Sequence, residues 1–282
     1  MSAAPDSAGR RPSLAVLLWS QARYHNRLFW RSPMAAFFTI AFPLIMLLVF
    51  TTLFGNRSVG TGSLRTAQFY APSLGVYGSV AAAYTNLAIA TVSNREAGIL
   101  KRIRGTPLPP WVYIAGRLLA TVWAAFLAVV VMVGVGALLY GIRIPLENMP
   151  AALVGFAAGV ACFAALGLMV SAFIPDSSAA PAITNATLLP LAFISDVFIP
   201  PTATTPGWLA RVADFFPLKH FAHAFGEAFN PLLTGNGFAW SASTGHYAIG
   251  EHVFWLAVWG IVATVVAARR FRWEPRAERG KS

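Results

Sequence analysis

Six stretches of this chain are apolar for long enough to cross a lipid bilayer, and no other feature restricts its fold as severely. A spanning helix needs about 20 mostly apolar residues. The runs at residues 33–54, 69–92, 118–140, 151–174, 182–199 and 252–268 reach or approach that length, the last two being the shortest. Lipid offers the backbone no hydrogen-bond partners, so such runs must be helices that satisfy themselves. The sequence therefore predicts an all-α membrane protein, a single domain over residues 1–282 with six transmembrane helices. Composition agrees: 57% of the residues are hydrophobic and only 11% are charged, whereas soluble domains carry about 25% charged residues. The lone cysteine, Cys162, lies inside the fourth run, which excludes a disulfide framework or a Cys-rich metal site.

The basic residues set the predicted orientation. Arg10, Arg11, Arg23, Arg27 and Arg31 precede the first run. Arg95, Lys101, Arg102, Arg104 and Arg117 follow the second, and six more basic residues follow the last. That puts sixteen basic residues on one side against Arg57, Arg65, Arg143, Arg211 and Lys219 on the other. By the positive-inside rule both termini face the cytoplasm. The net charge of +11 is thereby read as topology, and no nucleic-acid partner is expected. The first run is too long for a signal-peptide core and is expected to stay as an uncleaved span. Arginine outnumbers lysine 18 to 3, a GC-rich codon bias that points to a bacterial cytoplasmic membrane.

Two further segments break the apolar pattern. Residues 14–30 carry Arg23 and Arg27 four apart, with Arg31 beyond, and set Leu14, Leu17, Leu18 and Leu28 on an apolar side. An amphipathic helix on the cytoplasmic leaflet is predicted there. Residues 200–251 form the longest interruption, yet ADFFPLKHFAHAFGEAFNPLL within it is rich in Phe and too short to span. A re-entrant segment on the outer side is expected.

The insert after the second run, NREAGILKRIRGTPLPP at residues 94–110, is compact and charged. Ser93 and Glu96 have the spacing of a capping box. Gly105 supplies a helix stop, and Pro107, Pro109 and Pro110 prevent continuation. A helix over residues 94–104 is predicted, too short and too charged to span. It either lies on anionic headgroups, at roughly 1 kcal/mol per basic residue, or docks into a partner. The cap, the Glu among basic residues and the proline punctuation favour docking.

NREAGILKRIRGTPLPPWVYIAGRLL resembles the segment after the second span in type-2 ABC exporter permeases, the group that includes daunorubicin-resistance-like drug and lipid exporters. Glu96, Gly98, Leu100, Lys101, Arg102, Arg104, Thr106, Pro107 and Pro109 stand at the positions of that pattern. FISDVFIPPTATTPGWLARVADFFPLKHF resembles the fifth span and outer segment of the same family, with Asp196 and Gly226–Glu227 as departures. The resemblance implies a coupling helix seated in an ATP-binding subunit and contacted through Arg95, Glu96, Gly98, Leu100, Lys101, Arg102 and Arg104. Asn94 stands where the family commonly has an acid. It further implies two ATP-binding subunits, a second permease copy or a related permease, and ATP and Mg bound by the partner alone. This chain has no phosphate-binding loop: its one Gly-Lys-Ser is at the tail, with Pro275 in place of the first glycine.

Polar residues within the runs are candidates for a substrate path. These are Tyr77, Tyr84 and Asn86 in the second run and Asn185, Ser195 and Asp196 in the fifth, where Pro190 predicts a kink. Tyr70, Tyr77, Tyr84 and Thr91 recur every seven residues, a stripe that equally suits helix packing. Asp196 is either exposed to a cavity or a partner for Lys219. Phe215, Phe216, Pro217 and His220 are candidates for an outer gate, and Gly155-x-x-x-Gly159 is read as a close-packing motif. Two other readings compete with a transporter: a membrane metal hydrolase built on His220, His223 and Glu227, with His246, Glu251 and His252 nearby, and a passive channel or scaffold.

Overall fold

The computed structural model describes residues 13–57, 64–106, 108–200, 206–230 and 249–270. Within them all regular elements are helices, in the order α1 (Leu14–Trp30), α2 (Pro33–Leu53), α3 (66–96), α4 (Ile99–Arg104), α5 (Pro110–Tyr140), α6 (Met149–Phe173), α7 (Ala180–Ile194), α8 (Gly207–Phe215), α9 (Pro217–Gly226) and α10 (Gly250–Arg270). Four are long and apolar enough to cross a membrane: α2, α5, α6 with the 3₁₀ turn that precedes it, and α10. Pro107, His246 and the basic residues of the two chain ends outside 13–270 lie outside the described residues.

The second apolar run becomes the axis of the bundle. From Tyr70 to Val80 the residues of α3 are buried without interruption, and the helix packs against α2, α5, α6 and α9. Small residues allow that crowding. A side chain on Gly78 would meet the Thr39 carbonyl at 2.5 Å, and one on Gly167 would meet the Ala83 and Tyr84 carbonyls at 2.8 and 2.9 Å. Both contacts fall on π turns, Phe37–Ala41 in α2 and Ala81–Asn86 in α3. In α2 the cause is local. Pro43 has no N–H and its ring crowds the carbonyl four residues back, which is Thr39, so the helix widens there and pushes that carbonyl toward Gly78.

The fifth run departs from its predicted bounds of 182–199. Helix α7 has 15 residues and stops at Ile194. Asp196 adopts φ +57°, the one left-handed residue other than glycine among those described, and the Phe198 N–H turns back to the Ala192 carbonyl at 3.2 Å. Aspartate tolerates this conformation better than most residues because its short side chain finds local partners. At about 1.5 Å per residue, α7 is shorter than the hydrocarbon core.

The Phe-rich segment folds back onto the bundle. Helix α9 is buried along Pro217, Leu218, Phe221, Ala222, Ala224 and Phe225 and packs on α6 and α10. The Gly155-x-x-x-Gly159 motif makes this possible. A Cβ at Gly155 would meet the Ala224 carbonyl at 2.7 Å, and one at Gly159 would collide with the Phe221 ring. The close-packing motif therefore serves the short helix α9 rather than one of the four long apolar helices. At the opposite end α1 lies against α5, with the Gln21–Ala22 backbone resting on Gly116. Leu14, Val16, Trp19, Leu28 and Trp30 remain exposed, and so do Arg23, Arg27 and Arg31, so α1 presents both apolar and basic side chains outward.

Candidate functional site: a basic end and a histidine–carboxylate end

The charged insert is built differently from its predicted form. Ser93 does not cap a helix; it lies inside α3, where its hydroxyl donates to the Ile89 carbonyl at 3.0 Å. An N-cap needs an extended backbone, but buried Thr91 and Val92 have already committed this stretch to the helix. The chain breaks instead at Gly98, φ +67°, a left-handed position that glycine occupies without steric cost. Helix α4 starts after it. Residues 94–104 are therefore the last turn of α3, a glycine hinge and a six-residue helix.

The predicted contact residues separate accordingly. Arg95 is 2% exposed, and its guanidinium donates to the Ser171 and Ile174 carbonyls at 2.8 and 2.7 Å. It caps the C-terminal end of α6, where a cation complements the helix dipole. Leu100 is likewise turned inward, in contact with a small void among Leu87, Thr91, Tyr113, Leu118 and Leu168. Neither presents a side chain to a partner. Glu96, Lys101 and Arg102 are exposed, and no carboxylate forms an ion pair with either cation among the described residues. Glu96 accepts a hydrogen bond from the Ser177 N–H at 2.9 Å, which ties the hinge to the turn between α6 and α7. In that turn the Ser178 hydroxyl and the Ala179 N–H both donate to Asp176, and these bonds, the Ser178 one foremost, lower its pKa.

The candidate path residues are not brought together as one group; only Asn86 and Asn185 among them share a cavity. Tyr70 donates to the Phe198 carbonyl at 3.2 Å, Tyr77 packs on Phe42 and Phe198, and the Tyr84 hydroxyl lies 2.7 Å from that of Thr187. The tyrosine stripe is thus an interhelical seam against α7 and the turn after it. Ser195 is fully buried. Asn86 and Asn185 do share a cavity of about 280 Å³ at the basic end, bordered by α1, both π turns, α5 and α7. The Asn86 amide donates to the Thr39 hydroxyl at 2.8 Å.

At the other end the ionisable groups pair with one another. His223 places Nε2 2.9 Å from Asp196 and Nδ1 2.7 Å from Glu227, while Lys219 contacts Asp214 at 2.7 Å and Asp196 at 3.7 Å. Burial alone would lower the His223 pKa, but its hydrogen bonds to Asp196 and Glu227 outweigh that and raise it to about 9. His220 stands against Asp214 and His252: its Nε2–H donates to the Asp214 carbonyl at 2.7 Å, and its Nδ1 lies 3.1 Å from His252 Nδ1. Burial lowers the His220 pKa. His223, Glu227 and His252 group their donor atoms within 4.8 Å, the set closest to the metal-hydrolase reading. His223 spends both ring nitrogens on carboxylates, however, so as arranged it has no lone pair for an ion. Of the predicted gate, Pro217 and His220 are buried, and Phe215 and Phe216 form an aromatic group with Trp259.

Sequence reasoning missed His25, Thr85, Arg117 and Thr121 around the first cavity. Only Arg117, a cation beside an apolar run, carried a visible signal.

Relatives assign the family. The ABC-2 type transporter family matches residues 16–229, a stretch that includes most of α1, the hinge insert, and helices α8 and α9. The daunorubicin resistance ABC transporter permease protein DrrB1 of Streptomyces coeruleorubidus is 30% identical over 248 residues, covering 83% of this chain and 82% of that protein. This helical membrane protein belongs to the ABC-2 type transporter family and is a membrane subunit of an ABC transporter.

Proposed function

We propose that the chain is the membrane-spanning half of an ATP-driven exporter, carrying a hydrophobic or amphipathic substrate such as a drug or lipid from the cytoplasm or inner leaflet. In this reading the chain crosses a bacterial cytoplasmic membrane six times, with α3 and the short α7 added to the four long apolar helices and both termini in the cytoplasm. Two copies, or one copy with a related permease, form the path. Two ATP-binding subunits bind ATP and Mg.

The observation that carries the proposal is the hinge insert. Lys101 and Arg102 project outward from a six-residue helix that Leu100 pins to the bundle, and Glu96 and Arg95 tie its base to α6 and the turn after it. Docked on a moving partner, such a lever transmits displacement into α3, the bundle axis. The sequence of a permease related to a daunorubicin resistance protein supports an amphipathic cargo. The test is reconstitution of the chain with its ATP-binding subunit in vesicles. Export of a fluorescent amphipathic probe that requires ATP and Mg, and is diminished by Glu96→Ala, is expected. Probe movement indifferent to nucleotide would instead identify a passive channel.

A further inference from the structure

The cavity at the basic end holds chemistry that the exporter reading does not use. Its volume is about 280 Å³, near the lower limit of small-molecule sites at roughly 300 Å³, so it suits a headgroup rather than a whole lipid. Its polar lining includes one permanent cation, Arg117. Arg117 is 7% exposed, and its guanidinium donates from Nη2 to the Leu87 carbonyl at 3.2 Å and hydrogen-bonds Tyr113. Arginine stays protonated in proteins, yet no carboxylate among the described residues borders the cavity. None forms an ion pair with Arg117 among the described residues.

Two further polar atoms on the wall lack partners. His25 Nε2 and Thr85 Oγ1 are buried without a hydrogen bond, in residues only 8% and 4% exposed. Buried polar atoms are nearly always satisfied, and an orphan marks a group waiting for a ligand or water. Burial, followed by the positive charge of Arg117, pushes the His25 pKa down to about 3, so its ring is neutral and a nitrogen can donate without adding a second charge. Thr85 belongs to the π turn of α3, a distortion that recurs at functional sites.

The rim explains how a ligand tail would leave. Leu28 and Met34, both on the cavity wall, are exposed at 41% and 67%. The exposed arginines of α1 lie on the same helix as Leu28 and His25, and basic interfacial segments attract anionic lipids. We propose that this cavity binds the phosphodiester headgroup of an anionic inner-leaflet phospholipid, seated on Arg117, His25 and Thr85, with its acyl chains passing out between Leu28 and Met34. The assignment rests on the proposed cytoplasmic placement of this end. It does not depend on nucleotide or on an ATP-binding subunit.

The test is lipid retention by the full-length chain in detergent, read by native mass spectrometry. Phosphatidylglycerol should be retained over phosphatidylcholine by about tenfold, the scale of one charge-assisted hydrogen bond. The double variant His25→Phe, Thr85→Val keeps the ring packing against Tyr24 and Tyr113 and deletes both orphan atoms. It should retain several-fold less phosphatidylglycerol, the scale of about one or two lost neutral hydrogen bonds, while unfolding at the same or a higher temperature. Inorganic phosphate at millimolar concentration should leave the lipid bound. Equal retention of the two lipids, phosphatidylglycerol retention unchanged by the double variant, or displacement by phosphate alone would each overturn the assignment. Because nucleotide is absent, a failure here is separate from a failure of ATP-driven export.

Discussion

The two ends of the bundle handle their charges in opposite ways. At the histidine–carboxylate end the charges close on one another: Asp196 and Glu227 flank His223, and Asp214 meets Lys219. At the basic end they do not. Arg95 is spent on backbone carbonyls, and Lys101 and Arg102 point outward without a carboxylate partner among the described residues. An end that neutralises itself can act as a latch between its own elements. An end that leaves cations outward is completed by something else.

The largest effect is expected where the basic end is internally braced. Arg95→Ala removes two hydrogen bonds from a buried guanidinium and strips the cap from α6, a loss of about 3 kcal/mol or more. Thermal unfolding of the purified chain should register it as a clear drop in midpoint. If the variant unfolds like the parent, Arg95 is not the brace described here.

The latch makes the second prediction. With its folded pKa raised to about 9, His223 contributes stability fully present below its ordinary value near 6.5 and lost as pH rises through about 9. Unfolding midpoints should therefore fall between pH 7 and pH 10. His223→Gln should flatten that dependence and cost about 1–3 kcal/mol at pH 7, since it leaves the flanking Asp196 and Glu227 without their shared cation. His220, His252 and Lys219 face the same group, so a slope that persists in the variant would assign the titration to them.

A smaller effect belongs to the hinge. Gly98→Ala forces a side chain into a left-handed position, at about 1–2 kcal/mol. No atom approaches within 4 Å of the Cβ it would add, so the cost is conformational and not steric crowding. Loss of ATP-dependent transport exceeding that modest loss of stability would mark Gly98 as part of the lever.

Much of the helical architecture was legible because lipid imposes a coarse code: apolar length makes helices. Glycine spacing was legible too, although the partner of Gly155 and Gly159 was the short helix α9, which no pairwise motif specifies. What failed to show were choices settled by tertiary neighbours. Ser93 had a capping spacing, but the buried residues before it carried the helix through. Asp196 looked like a residue on a helix face, yet it ended the helix with a left-handed turn because His223 and Lys219 were there to receive it. Arg95 and Lys101 look alike in sequence; only the position of the α6 terminus turns one inward. The π turns gave no signal of their own beyond Pro43, and so the cavity they border went unread.

The most direct measurement is capture of the ATP-binding subunit by a Lys101→Glu, Arg102→Glu variant. Both residues are exposed, so the change should alter stability by less than about 0.5 kcal/mol. The account predicts an unfolding midpoint equal to that of the parent together with loss of the co-purifying ATP-binding subunit. A variant that still captures the subunit at parental stoichiometry would contradict the claim that the basic end is completed by that partner.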